Sequence, residues 1–162
     1  MIQRIVLLWM ASILVGCAIQ KRAVSEVFLL RHAEKQQDVA DPGLTTAGFS
    51  RAARVAKQLQ NQEIGYVFST DYRRTRETAQ VIADRFGLTV TIYDARQPQL
   101  LVDRVTRTVG SIVVVGHSNT IPDLVDRLGG QSGSAIDESE YDRLYRLRRG
   151  AVVATELLSS DI

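Results

Sequence analysis

Two short apolar runs, each broken abruptly by charge or a histidine, set the tightest limit on how this chain can fold. Val27-Phe28-Leu29-Leu30 runs directly into Arg31-His32-Ala33-Glu34-Lys35, and Ile112-Val113-Val114-Val115 into Gly116-His117-Ser118-Asn119. Four large apolar residues in a row, β-branched or aromatic in part, are too few for a helix and fit a strand buried on both faces. Such strands belong to parallel sheets covered by helices, where ligands gather at the carboxyl ends of the strands. The chain has two histidines in all, and each stands at such an end.

Read in order, the sequence alternates strand and helix. Ala23 to Arg31 predicts a first strand, followed by a polar loop from Gln36 to Gly43. Thr45 or Thr46 then caps a helix reaching about Gln60, with Phe49, Ala52, Ala53, Ala56 and Leu59 expected on its buried face. Ile64 to Phe68 predicts a second strand that ends in the polar burst Ser69-Thr70-Asp71-Tyr72-Arg73-Arg74. A helix from about Arg74 to Phe86 stops at Gly87, and Leu88 to Tyr93 predicts a third strand delivering Asp94. Leu100 to Val109 reads as a shorter helix and Ser111 to Val115 as a central strand, the most β-branched run in the chain. Ser118 or Asn119 is expected to cap a further helix containing Pro122 and ending at Gly129-Gly130. Leu144 to Arg148 and Ala151 to Leu158 alternate as two final strands hinged at Gly150. Strict alternation of this kind predicts an α/β fold, a mostly parallel sheet with helices on both faces.

Composition removes several function classes. With 162 residues, 45% hydrophobic and 23% charged, the chain holds one globular domain with a real core. Twenty basic against 18 acidic residues leave a net charge of +2, which makes no electrostatic case for nucleic-acid binding. The single cysteine excludes an internal disulfide and a cysteine-based zinc site.

That cysteine closes an N-terminal segment with its own logic. Arg4 precedes the apolar run Ile5 to Val15, and Gly16-Cys17 precedes the polar Gln20-Lys21-Arg22. The run falls well short of the roughly 20 residues needed to span a bilayer and has the anatomy of a cleaved signal peptide. Leu14-Val15-Gly16-Cys17 also resembles the bacterial lipoprotein signal, in which the cysteine becomes the lipidated first residue. The resemblance implies a signal peptide over 1–16, a lipidated tether over 17–25 and a folded domain over 26–162. Ala18 in place of aspartate then implies anchoring at the outer membrane, facing the periplasm, as the only membrane contact.

In a parallel sheet His32, the burst from Ser69 to Arg74, Asp94 and His117 converge on one rim. Imidazoles beside guanidiniums suit a phosphoryl group. The planar guanidinium fork donates paired hydrogen bonds to phosphoryl oxygens, and a neutral imidazole attacks phosphorus as a nucleophile. Adjacent arginines would repel a metal cation, and no zinc-binding spacing is present.

These residues carry a family resemblance. The chain is similar to the histidine phosphatase superfamily, the phosphoglycerate-mutase-like proteins, and most similar to its small branch. Arg31-His32-Ala33 resembles that family's Arg-His-Gly/Ala motif, and Pro42-Gly43-Leu44-Thr45-Thr46-Ala47-Gly48 its Pro-Leu-Thr-x-x-Gly segment. Ser69 to Ala79 resembles Ser-x-x-x-x-Arg-Thr/Ala-x-x-Thr-Ala, and Gly116-His117-Ser118-Asn119 its second-histidine motif. The resemblance implies a three-layer α/β/α sandwich and a phosphatase for small phosphorylated substrates, with no metal or other cofactor. It makes His32 the phosphorylated nucleophile, with Arg31, Arg74 and His117 as the groups that bind the phosphoryl oxygens. The glutamate that often serves such proteins as general acid is missing from its expected place, which leaves Asp94, Asp103 or Glu34 as candidates. A phosphotransferase or mutase is the alternative enzyme, disfavoured by the room a short chain leaves for insertions. An envelope lipoprotein that only binds phosphorylated sugars or lipids is the alternative outside enzymes.

Overall fold

A computed structural model describes residues 25–37, 40–149 and 153–161. The expected signal peptide, Cys17, the start of the first strand at Ala23 and the hinge at Gly150 lie outside the described residues. Six strands form one sheet: β1 (Glu26–Arg31), β2 (Ile64–Ser69), β3 (Val90–Ile92), β4 (Ser111–Gly116), β5 (Arg143–Arg148) and β6 (Ala154–Ser159), in the order β3-β2-β4-β1-β5-β6. The first four are mutually parallel, and β5 and β6 add an antiparallel edge beside β1. Four helices connect them: α1 (Thr46–Gln58), α2 (Arg73–Phe86), α3 (Pro98–Arg107) and α4 (Ile121–Arg127). This is the three-layer α/β/α sandwich expected. Among the described residues no helix is long and apolar enough to cross a membrane.

The continuous apolar runs are buried on both faces because successive side chains leave a strand on opposite sides. Val27 and Leu29 join Ile112, Val114 and Phe68 against α3 and α4, while Phe28 and Leu30 join Val113, Val115 and Val67 against α1 and α2. All six residues of β1 and all six of β4 are buried.

Local details bear out one expectation and correct two. Helix α1 is capped by Thr45, whose hydroxyl accepts from Gly48 N. Its buried face is Gly48, Ala52, Val55, Ala56 and Leu59, whereas Phe49 and Ala53 are exposed. The face is turned because the first helical turn presses against the carbonyl oxygen of Glu34, which accepts from Thr45 N at 2.9 Å. A Cβ on Gly48 would run into that oxygen, so only glycine fits there. Neither Ser118 nor Asn119 caps α4. Thr120 takes the cap position instead, and its hydroxyl accepts from His117 N at 3.0 Å.

Candidate active site

Register places the two histidines side by side. β1 pairs with β4 so that Arg31 lies opposite Gly116, and the next residues along both strands are His32 and His117. His32 N donates to Gly116 O at 2.9 Å, which locks the two strand ends together. The imidazole rings lie 5.6 Å apart between centroids, edge to face. β2 flanks β4 on its other side, so its exit residue Thr70 meets His117, with 2.9 Å between Thr70 Oγ1 and His117 Nε2.

His32 is 3% exposed, and its Nδ1 lies 2.8 Å from the carbonyl oxygen of Ala33. A carbonyl only accepts, so the proton sits on Nδ1 and Nε2 keeps its lone pair. Burial, reinforced by the charges of Arg31 and Arg74, lowers its pKa from 6.5 to about 3, against the opposing pull of the Ala33 carbonyl. The ring is therefore neutral and directional at ordinary pH.

The segment after His32 is held by α2. Ala33 N donates to Thr78 Oγ1 at 3.0 Å, Thr78 donates in turn to Arg74 O, and Leu44 N donates to Glu77 Oε2. One helix thus carries Arg74 and fixes the loop bearing the histidine.

His117 connects to a chain of hydroxyls. Thr70 donates to Thr75 Oγ1, which donates to the backbone carbonyls of Thr70 and Tyr72. Thr70 therefore accepts from His117 Nε2–H, and His117 Nδ1 faces Arg74 Nη2 at 3.5 Å as an acceptor. Burial, then Arg74, then Arg31 lower the His117 pKa from 6.5 to about 4. Tyr72 packs edge-on against His117, and its ring also lies under the Arg74 guanidinium at 4.7 Å.

The two arginines differ. Arg74 makes no ion pair with any carboxylate among the described residues. Arg31, 2% exposed, turns its terminal nitrogens to the loop before β5. Nη1 donates to the carbonyls of Asp137, Glu138 and Glu140, Nη2 meets Glu138 Oε2 at 2.9 Å, and Tyr141 stacks on the guanidinium at 4.2 Å. Both arginines keep a buried Nε–H with no partner. An orphaned buried donor is costly and recurs where a ligand supplies the acceptor.

The structure brings Arg31, His32, Arg74 and His117 to one rim. None of the candidate acids is bonded to any of these four. Glu34 is bound by Arg51, Asp103 is hydrogen-bonded to Gln99 on the surface of α3, and Asp94 is gripped by Arg96. The hydrogen bonds from Arg96 hold Asp94 at about 2, so it carries no proton to give. Asp94 instead lines, with Thr70, Tyr72, Tyr93 and Arg96, a cavity of about 560 Å³ beside His117. The sequence alone assigned no part in the site to Glu138 or Tyr141, and offered Ser118 as a helix cap and not as a partner of Glu138. They reach the site from a loop and a strand exit, where no periodicity marks a side chain's direction.

Residues 27–97 match the histidine phosphatase superfamily, branch 1. The match takes in His32 and Arg74, and His117 follows beyond it. The Yersinia pestis protein named "Probable phosphoglycerate mutase GpmB" is 38% identical over 82 residues, covering 46% of this chain. The matched part spans only 38% of that relative's length. The solved structure of the protein histidine phosphatase SixA complexed with tungstate superposes with a TM-score of 0.68 at 20% identity, covering 83% of this chain and 97% of its own. Phosphoserine phosphatase from Entamoeba histolytica, in complex with 3-phosphoglyceric acid, gives a TM-score of 0.64 at 17% identity over 85% of this chain and 98% of its own. At such identities the likeness to these two structures is one of fold.

Proposed function

We propose that this protein is a phosphatase that hydrolyses small phosphomonoesters in two steps through a phosphohistidine on His32. The observation that carries the reading is a neutral imidazole, its proton fixed on Nδ1 by Ala33, beside two arginines that each retain a buried donor without a partner. Nε2 of His32 attacks phosphorus while the ester oxygen leaves, and water then attacks the phosphohistidine to release inorganic phosphate. Arg74 and Arg31 neutralise charge on the phosphoryl oxygens. A bound dianion also offsets the repulsion between Arg74 and His117, which favours a proton on His117 Nδ1 and makes it a further donor.

Incubation with p-nitrophenyl phosphate tests this directly. Wild-type protein should release p-nitrophenol and inorganic phosphate together, with an acid-labile, base-stable phosphoryl group trapped on His32 Nε2. His32→Ala should reduce turnover by at least about 10³-fold. Turnover that survives the substitution refutes the nucleophile. Phosphoryl transfer to an added alcohol or phosphate ester without net release of inorganic phosphate identifies a mutase or transferase instead. Absence of turnover together with phosphate-sensitive ligand binding identifies a binding module.

A further inference from the structure

The geometry points to Glu138 as the carboxyl group that protonates the leaving oxygen, an inference that rests on the phosphatase reading above. Among the described residues it is the one carboxylate bonded directly to any of Arg31, His32, Arg74 and His117. Its backbone is fixed at the rim, because Arg31 Nη1 binds the carbonyl oxygens of Asp137, Glu138 and Glu140 at 2.8 to 3.0 Å. Its side chain is 77% exposed and is tied only at its tip, to Arg31 Nη2 and to Ser118 Oγ at 2.6 Å. A fixed backbone with an exposed side chain, held only through bonds to its carboxyl that a ligand on Arg31 can loosen, suits delivery of a proton to a bound ester.

In the resting protein this carboxylate is ionised. The Ser118 hydroxyl and the charge of Arg31 hold it below the usual glutamate range, and His32 and Lys35 also face it, while Glu138 in turn acts on His117. Arrival of a phosphoryl dianion reverses that balance. The ligand competes for Arg31, so Glu138 loses a cationic partner and gains an anionic neighbour, and both changes favour protonation. Substrate binding thus loads the acid.

The chemistry balances in both steps. In the first, the bond from His32 Nε2 to phosphorus forms, the bond from phosphorus to the ester oxygen breaks, and the Glu138 proton moves to that oxygen to give the free alcohol. In the second, water adds to phosphorus, its proton returns to the Glu138 carboxylate, and the electron pair of the N–P bond returns to Nε2.

Glu138→Gln keeps the size of this exposed side chain and removes its proton. Relative to wild type, kcat/KM for an alkyl ester such as glycerol 3-phosphate should fall by about 10²-fold or more. The loss on p-nitrophenyl phosphate, whose leaving group needs little protonation, should be at least about tenfold smaller. Calorimetric titration with inorganic phosphate in buffers of different ionisation enthalpy should register greater proton uptake in wild type than in Glu138→Gln, where His117 is left to gain a proton without the carboxylate. Equal losses on both esters, no loss on either, or identical proton uptake in the two proteins would overturn the assignment. If wild type turns over neither ester, the phosphatase reading fails, and proton uptake still decides whether phosphate binding loads Glu138.

Discussion

Arg74 Nη2 stands 3.5 Å from Nδ1 of His117, and no carboxylate among the described residues neutralises the guanidinium. The pair keeps an uncompensated positive charge on the rim, directed where a phosphoryl group is proposed to sit. Arg74→Ala should lower kcat/KM for p-nitrophenyl phosphate by about 10² to 10³-fold. Arg74→Lys should recover only a small part, because an ammonium cannot donate the parallel pair of bonds. Steady-state kinetics of the two variants check this, and full rescue by lysine would show that charge alone suffices.

The contact of Gly48 with the Glu34 carbonyl predicts a coupled defect. Gly48→Ala should destabilise the fold by about 1 to 3 kcal/mol, since the added carbon forces α1 away from the loop that follows His32. Turnover should fall in the same variant. A urea titration with a parallel kinetic assay measures both, and an unchanged unfolding midpoint would show that the loop yields without cost.

Both histidines titrate below their ordinary range in the folded protein, His32 at about 3 and His117 at about 4, chiefly through burial. The unfolded chain therefore binds protons below about pH 6.5 that the folded protein does not, and stability falls with pH across that window. Stability is complete above about 6.5 and is lost progressively as pH descends toward the folded values. His32→Asn should flatten the dependence of the urea midpoint on pH between about 7 and 4. A slope identical to wild type would mean that His32 is not buried in its neutral form.

Cys17 carries the proposal of a lipid anchor in the bacterial envelope. Cys17→Ser should move the expressed protein from the membrane fraction to the soluble fraction. Fractionation followed by mass spectrometry of the N-terminus checks this, and undiminished membrane association would refute lipidation.

Much of the architecture was legible because apolar runs of strand length declare themselves without tertiary context. Val27 to Leu30 and Ile112 to Val115 read as buried strands and are buried. Gly87 marks the end of α2 by a left-handed φ of 65°, which few other residues adopt. Helix α1 was placed correctly, but its face was misjudged. Apolarity alone favoured Phe49 and Ala53, whereas the orientation follows from the approach of Gly48 to Glu34, a contact between segments that the sequence does not display.

The site divides in the same way. Chain order alone shows which residues end the parallel strands, and hence that His32 and His117 share a rim with the polar burst containing Arg74. Strand direction and burial are encoded locally, in runs of a few residues, so chain order suffices for them. It takes the folded chain to show that Ala33 selects the tautomer of His32, that Thr78 of α2 holds the loop, and that Arg31 turns to Glu138 instead of standing free. Those outcomes depend on the path of a loop and on hydrogen bonds between residues up to 107 positions apart, which no local pattern can specify.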